Sequence, residues 1–220
     1  MIPKIIWQTH NYLYDELPDH IRRCMKTWTN LNPDWEHRYV DHIEREEFVK
    51  SRSKELYDFY LVSGPVTQAD IWRLLALYEF GGVYCDMDSV CLKPLDYVLQ
   101  KYAGQEFVSV KKYDDGRINN ANFAVPAKSS IMLKIIESAI KDPVENPYWH
   151  IWIAFNKHIM NISDNDQFFD AAWHSAVYKD RFLENEMDHI DYYGRRMPYK
   201  TYLKDILKLD EEEYLSSIPL

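Results

Sequence analysis

Cysteine is scarce in this chain, since only Cys24, Cys85 and Cys91 occur among 220 residues and their spacing fits no metal site. An odd and sparse set of cysteines is not typical of a disulfide framework, so it favours a reducing compartment. A pairing of Cys85 with Cys91 stays open because the two are close in sequence. The fold must therefore depend on its hydrophobic core.

Positive charge and long apolar runs are also lacking. The 26 Lys and Arg residues face 35 Asp and Glu, a net charge of −9, which argues against broad nucleic-acid binding. No window approaches the roughly 20 apolar residues that span a bilayer, and residues 1–8 show no signal-peptide pattern. We expect a cytoplasmic protein without a transmembrane segment, and contact with a membrane surface stays open.

Hydrophobic residues, in contrast, make up 46% of the chain and aromatic residues 15%, enough for one sizeable core. Strand and helix patterns alternate along the sequence, which predicts a single α/β domain over residues 1–220. The predicted strands are 2–9, 35–40, 83–85, 106–110 and 122–125, and the predicted helices are 18–31, 42–61, 66–80, 130–141, 148–160, 165–178 and 199–216.

The segment from Asp70 to Asp88 is the most informative one. A predicted helix, two glycines and a short apolar strand lead to Asp86 and Asp88. On an extended chain, side chains two residues apart point the same way, so both carboxylates face one site. Their repulsion requires a cation or a proton, and paired carboxylate oxygens suit Mg²⁺ or Mn²⁺. This pattern predicts a metal-dependent site for a phosphate ester at the end of a strand.

Asp70 and Arg73 stand three residues apart on the same predicted helix, and two interpretations stay open. At this spacing they form either a surface ion pair of small worth or part of a binding site. In the second case Asp70 binds a nucleotide or sugar hydroxyl, and Arg73 binds a phosphate or hydroxyl.

Four segments together resemble glycosyltransferase family 32, whose members carry a DXD-containing sugar-binding region. These segments are Ile2–Gln8, Thr27–Glu36, Ala69–Asp88 and Leu92–Asp96, in the order and spacing of that family. The resemblance implies a GT-A type domain with a mixed, mostly parallel sheet flanked by helices. Its donor-binding half would be residues 1–125 and its acceptor side residues 126–220.

The resemblance also implies a function, the metal-dependent transfer of a hexose with retained configuration, as in polysaccharide biosynthesis. The donor would be a UDP- or GDP-linked sugar, and the acceptor a glycan or another hydroxyl. Asp86 and Asp88 would hold Mn²⁺ or Mg²⁺ against the diphosphate and take part in catalysis. Asp70, Arg73 and Tyr84, which belong to the same motif, would bind the donor.

Trp7 is the residue expected to stack on the donor's base. The family often has His-Gln-x-Trp here, whereas in this chain Trp7 precedes Gln8. The stacking aromatic residue is therefore either Trp7 or missing.

The C-terminal half is more weakly similar to the retaining family 8 enzymes. This similarity places Asn120 and Asn122 beside the donor sugar, Asp166 and Gln167 at the reacting sugar face, His189 in the metal shell, and Arg195 and Arg196 on the diphosphate. Each residue also has an ordinary interpretation, such as a turn asparagine, an exposed helical glutamine, a loop histidine or a solvated arginine pair. Asp166 would be the nucleophile if the transfer were a double displacement.

Two other functions use the same residues. Residues 83–90 are similar to the opening motif of haloacid-dehalogenase-type phosphatases, in which Asp86 would be the nucleophile and Asp88 the acid/base. That motif normally lies on the first core strand, whereas here it begins after 80 residues. The other alternative is a non-catalytic nucleotide-sugar-binding module, against which the intact Asp-x-Asp pair argues.

Overall fold

The computed structural model describes residues 1–91, 94–111, 118–142 and 149–159, and the backbone of three short strands further along the chain. The helices are α1 (Asp19–Leu31), α2 (His42–Arg52), α3 (Lys54–Leu61), α4 (Pro65–Phe80), α5 (Leu95–Leu99), α6 (Ser130–Lys141) and α7 (His150–Ile159). The strands are β1 (Ile5–Thr9), β2 (Glu36–Val40), β3 (Gly82–Cys85), β4 (Ser89–Cys91), β5 (Val108–Lys111), β6 (Ile118–Val125), β7 (Trp173–Ser175), β8 (Asp188–Ile190) and β9 (Arg196–Pro198).

Five of these strands form the central sheet in the order β2-β1-β3-β6-β5. β1 runs parallel to both β2 and β3, whereas β6 runs antiparallel to β3 and β5. The α/β class and the mixed sheet are confirmed. The parallel pairings are half of those in this sheet rather than most of them, because β6 returns against β3.

Alternation along β1 and β3 distributes the core over both faces of the sheet. Trp7 and Tyr84 pack on the face covered by α4, α6 and α7, and Ile6 and Val83 pack on the opposite face against Trp28 of α1. The carboxyl ends of β1, β2 and β3 therefore meet at one edge between two packed layers.

Local signals set both ends of α4. Gly64 precedes the helix and Pro65 occupies its first turn, where the missing N–H costs nothing. Gly81 ends the helix with a φ of 66°, and a Cβ there would collide with the backbone of Ala127. The predicted double-glycine stop is confirmed, and it fixes where β3 begins.

One predicted helix is wrong where the structure describes it. Residues 165–178 were expected to be helical, but Trp173–Ser175 forms β7, which pairs antiparallel with β4. The edge of β4 supplies backbone partners that a local pattern cannot reveal, and such pairing overrides helical preference. The predicted helix over 199–216 lies outside the described residues. Within the described part, no helix has the length and apolar character to cross a bilayer.

Candidate active site

Asp86 and Asp88 lie in a turn that joins β3 to β4. The Ser89 backbone N–H donates to the Asp86 carbonyl over 3.0 Å, so the chain turns here and does not continue as a strand. Met87 is 4% exposed and packs in a cluster with Leu17, Ile21 and Met25, while both carboxylates are partly exposed. Both carboxylates follow β3 at the edge of the sheet, as predicted. They lie in a turn centred on the buried Met87, however, and not on an extended strand.

Arg73 links Asp70 of α4 to Asp86 of the turn. Its guanidinium lies 3.0 Å from an Asp70 oxygen and 3.3 Å from an Asp86 oxygen, and it also donates to the Asn120 carbonyl. Asp70 and Arg73 are only 5% and 4% exposed. The interpretation as a surface ion pair is wrong, and Arg73 instead holds two carboxylates together beneath the site.

Tyr84 supports the same carboxylate from β3. Its hydroxyl donates to Asp86 Oδ1 over 2.6 Å, and the Arg73 guanidinium lies 4.2 Å from the ring centre. Burial raises the pKa of Tyr84 well above its usual value, so the phenol remains a donor. The side chain is 1% exposed, and in the described structure it positions Asp86. Its contact with the donor stays a prediction.

The electrostatics of this cluster are dominated by burial. Burial raises the pKa of Asp70 to about 6, and the negative charge of Asp86 adds to this effect. Arg73 and a 3.0 Å hydrogen bond from Asn120 act in the opposite direction. Asp70 is therefore ionised at neutral pH and begins to bind a proton in mildly acidic solution.

A polar chain that the sequence did not reveal supports the Asp86 backbone. Gln8 Nε2 donates to the Asp86 carbonyl over 3.3 Å, and Gln8 Oε1 lies 2.7 Å from His37 Nε2. Burial, followed by the charge of Lys26, lowers the pKa of His37 to about 4, so the ring is neutral at pH 7. A neutral imidazole N–H donates to Gln8 and orients its amide toward the turn.

Helix α1 anchors the chain that follows the turn. Trp28 Nε1 donates to the Ser89 carbonyl over 2.8 Å, the Cys91 N–H donates to Thr27 Oγ1 over 2.8 Å, and the Leu95 N–H donates to Asn32 Oδ1 over 2.6 Å. These bonds explain why a motif at residues 27–36 accompanies the carboxylate pair. The signal that could have found them is the set of polar residues on a buried helix face.

Trp7 packs in the core and borders a cavity. Its indole Nε1 donates to the Gly81 carbonyl over 2.8 Å, and its ring stacks on Phe80 with centres 5.6 Å apart. The Arg38 guanidinium lies 4.9 Å from the Trp7 ring centre, and the side chain is 4% exposed. It lines a cavity of about 510 Å³ between β2, α2 and α4, whose lining includes neither Asp86 nor Asp88. Trp7 thus belongs to the core and borders this cavity, and its stacking on a donor base stays a prediction.

The two asparagines of β6 differ in their contacts. Asn120 is 8% exposed and binds Asp70, so it supports the cluster from below. Asn122 pairs in register with Cys85, and its buried Oδ1 has no hydrogen-bond partner within the described ranges. The role of both residues beside a donor sugar stays a prediction.

Most of the C-terminal candidates cannot be placed. Asp166, Gln167 and Arg195 lie outside the described residues, and for His189 and Arg196 only the backbone is described. His189 is on β8 opposite Met197, and Arg196 is on β9 opposite Ile190. Their assigned roles stay predictions.

The donor atoms at the turn fit a hard divalent cation. Two partly exposed carboxylates belong to one turn, and the described part of the chain shows no cluster of three or more His, Cys, Asp or Glu side chains. Mg²⁺ is typically bound through one or two carboxylates together with substrate phosphates. The turn therefore suits an ion shared between protein and phosphate.

Comparison with known proteins identifies this region. Residues 18–105, which contain Asp70, Arg73 and the Asp86–Asp88 turn, match the family described as "glycosyltransferase sugar-binding region containing DXD motif". The predicted resemblance to a DXD-containing glycosyltransferase family is confirmed over these residues.

Two similar proteins are fungal enzymes. The chain is 30% identical over 122 residues to the initiation-specific α-1,6-mannosyltransferase of Candida albicans, covering 53% of this chain and 31% of the relative. It is 33% identical over 100 residues to mannosyl phosphorylinositol ceramide synthase of Saccharomyces cerevisiae, covering 45% of this chain and 26% of the relative. The chain thus spans less than a third of either protein.

A solved structure shares the fold. The PaToxG glycosyltransferase superposes with a TM-score of 0.57 at 17% identity, covering 71% of this chain and 68% of that one. This likeness supports the GT-A type architecture of the described sheet and helices.

Proposed function

We propose that this chain is a metal-dependent, retaining glycosyltransferase that moves a hexose from a nucleotide-sugar to a hydroxyl of a glycan acceptor. The observation that carries the proposal is the buried Arg73, which joins Asp70 to Asp86 directly behind the exposed carboxylate turn. A DXD-family region built on such a cluster has the parts needed to bind a sugar diphosphate.

Asp86 and Asp88 would hold the ion, Mn²⁺ or Mg²⁺, and the diphosphate would complete its coordination. The bound ion neutralises charge on the leaving nucleoside diphosphate. Arg73 and Tyr84 keep Asp86 in one orientation, so that little reorganisation is needed when the donor binds. Asp70 lies beside them, ionised at neutral pH, and would accept hydrogen bonds from the donor's hydroxyls.

Mannose is the first sugar to test, because the two fungal relatives are named for mannosyl transfer. UDP and GDP both remain candidates for the nucleotide. For retained configuration we favour same-face attack, in which the leaving phosphate accepts the proton of the acceptor hydroxyl. Asp166 as a nucleophile, with Gln167 beside it, is the competing route.

The test is hydrolysis of nucleotide-sugars without acceptor, in the presence of Mn²⁺ or Mg²⁺. We expect slow turnover by the wild-type chain and a loss of at least about 100-fold in Asp86→Ala and in Asp88→Ala, since each variant lacks one of the two carboxylates that would hold the ion. Asp58→Ala is the matched control, because Asp58 is an exposed carboxylate that pairs with Lys54 on the surface of α3.

Different outcomes would support the alternatives. Cleavage of simple phosphomonoesters without action on nucleotide-sugars would favour a phosphatase. Tight nucleotide-sugar binding without hydrolysis or transfer would favour a binding module. Full activity of Asp86→Ala would refute the proposed site.

A further inference from the structure

Arg45 of α2 is a second buried arginine, 1% exposed. Its guanidinium donates to Thr9 Oγ1 over 3.2 Å, to Asn11 Oδ1 over 2.5 Å and to the Tyr60 hydroxyl over 3.3 Å. All three acceptors are neutral oxygens. Each nitrogen of the guanidinium thus has a hydrogen-bond partner, whereas the charge is not neutralised by these contacts.

No carboxylate among the described residues lies within 4.0 Å of this guanidinium. Asp41 and Glu44, the acidic residues near it in sequence, form the capping box at the exposed start of α2. Burial of an ion without a counter-ion is costly, and polar neutral side chains could bind the same oxygens at lower cost. The positive charge itself therefore requires an explanation.

The position of Arg45 supplies one. Thr9 ends β1, and the parallel register pairs Trp7, two residues before Thr9, with Tyr84, two residues before Asp86. Thr9 therefore lies toward the same end of the sheet as the carboxylate turn. Thr9 Oγ1 also donates to the Val40 carbonyl, so the arginine is tied to the ends of both β1 and β2. Its charge thus lies beneath the edge where the carboxylate turn is exposed.

We propose that Arg45 is a positioning residue whose missing counter-ion is the diphosphate of the bound donor. It would fix residues 9–11 by hydrogen bonds and attract the anion through space, without touching it. The inference rests on the proposed function, because it needs an anionic ligand at this edge. An anion about 10 Å away at an effective dielectric constant near 20 gives a preference of about tenfold.

The test compares charged with uncharged ligands. Calorimetry with Mg²⁺ would measure UDP, GDP, uridine and guanosine binding to the wild type, Arg45→Gln and Arg45→Lys. We expect Arg45→Gln to weaken diphosphate binding about tenfold and nucleoside binding less than twofold. Arg45→Lys, which keeps the charge, should restore most of the loss. The control is Arg52→Gln, which removes an exposed charge from the other end of α2. It should change neither the affinity for diphosphates nor the affinity for nucleosides.

Asn11→Asp tests the same idea without removing the arginine, and it serves if Arg45→Gln does not fold. It places a carboxylate where a neutral oxygen now accepts from Arg45 over 2.5 Å. The ligand-free protein should melt about 2–4 °C higher, while diphosphate affinity should fall about tenfold.

Three results would count against the proposal. If Arg45→Gln lowers the affinity for nucleosides and for diphosphates by the same factor, Arg45 has only a structural role. An Asn11→Asp variant that melts no higher than the wild type would show that the charge already has a counter-ion. Failure of the wild type to bind either diphosphate would refute the donor proposal itself, and the role of Arg45 with it.

Discussion

Two buried arginines lie under the same edge of the sheet, and their surroundings differ in kind. Arg73 faces two carboxylates, Asp70 and Asp86, at 3.0 and 3.3 Å. Within the part of the chain that the structure describes, Arg45 faces only neutral oxygens, from Thr9, Asn11 and Tyr60. The charge of Arg73 is thus offset by carboxylates of the protein itself, although its buried Nε has no hydrogen-bond partner within the described ranges. Arg45, in contrast, retains a charge that no described carboxylate offsets.

This difference in surroundings explains how the edge of the sheet can be rigid and still bind an anion. Removal of one partner from a buried ion pair leaves an uncompensated charge, so the Arg73 network resists rearrangement. A cation that is hydrogen-bonded but not neutralised gains most when an anion arrives. The following predictions test this division of roles, beginning with the largest expected effect.

Replacement of the two arginines by methionine should have unequal effects on stability. Arg73→Met leaves Asp70 and Asp86 without their cation, and we expect it to lower the free energy of unfolding by about 3–5 kcal/mol. Arg45→Met leaves only neutral oxygens unsatisfied, and about 1–2 kcal/mol is expected. Urea unfolding at pH 7 measures both. Equal losses would mean that the two environments are energetically alike and would remove the basis of the comparison.

The polar chain through His37 should make stability depend on pH. Burial holds the pKa of His37 near 4, below its ordinary value of 6.5, so the unfolded chain binds more protons between these values. Stability due to this residue is complete above pH 6.5 and falls as the pH decreases toward 4, by about 3 kcal/mol.

Asp70 acts with the opposite sign in the same range, because its pKa is raised to about 6 and the folded protein binds the extra proton. The two effects offset each other in the wild type. Urea unfolding should therefore compare the wild type with His37→Gln at pH 7 and pH 4.5. As the pH falls from 7 to 4.5, the free energy of unfolding of the variant should rise relative to that of the wild type. Parallel pH profiles would contradict the assignment of a buried neutral imidazole.

Tyr84→Phe should loosen Asp86 while it leaves the arginine network in place. The variant loses one hydrogen bond of 2.6 Å to a carboxylate, and we expect about 1–2 kcal/mol less stability. If Tyr84 positions Asp86 for the ion, kcat for donor hydrolysis should fall about tenfold. A rise in KM with unchanged kcat would instead indicate direct contact between Tyr84 and the donor.

Local sequence signals account for the parts of the site that were predicted well. Pro65 and Gly81 set the two ends of α4 through their own conformational preferences. The apolar strand after Gly82 leads directly to Asp86, whatever structure follows. These features depend on neighbours in sequence. The positions of Asp86 and Asp88 at a strand end were therefore predictable.

Contacts between distant residues account for what the sequence did not reveal. Asp70 and Arg73 are buried because β6 brings Asn120 over them from 50 residues away, so an ordinary helical pair becomes a buried network. In the sequence, Arg45 is one of several charged residues of a polar helix. Its burial depends on contact with Thr9 of β1, which the helix pattern does not indicate. His37 and Gln8 meet only through the parallel pairing of β1 and β2.

Trp7→Phe should have the smallest effect on ligand binding, since Trp7 lies on the same strand as Thr9 but two residues deeper in the core. Phenylalanine keeps an aromatic ring beside Phe80 and loses only the 2.8 Å bond to the Gly81 carbonyl, so about 1–2 kcal/mol of stability should be lost. Dissociation constants for UDP and GDP should stay within twofold of the wild type. If affinity falls for both nucleosides and diphosphates while the fold stays intact, the result would support stacking of Trp7 on the base. It would also mean that the ligand reaches deeper into the sheet than the edge between Arg45 and Arg73.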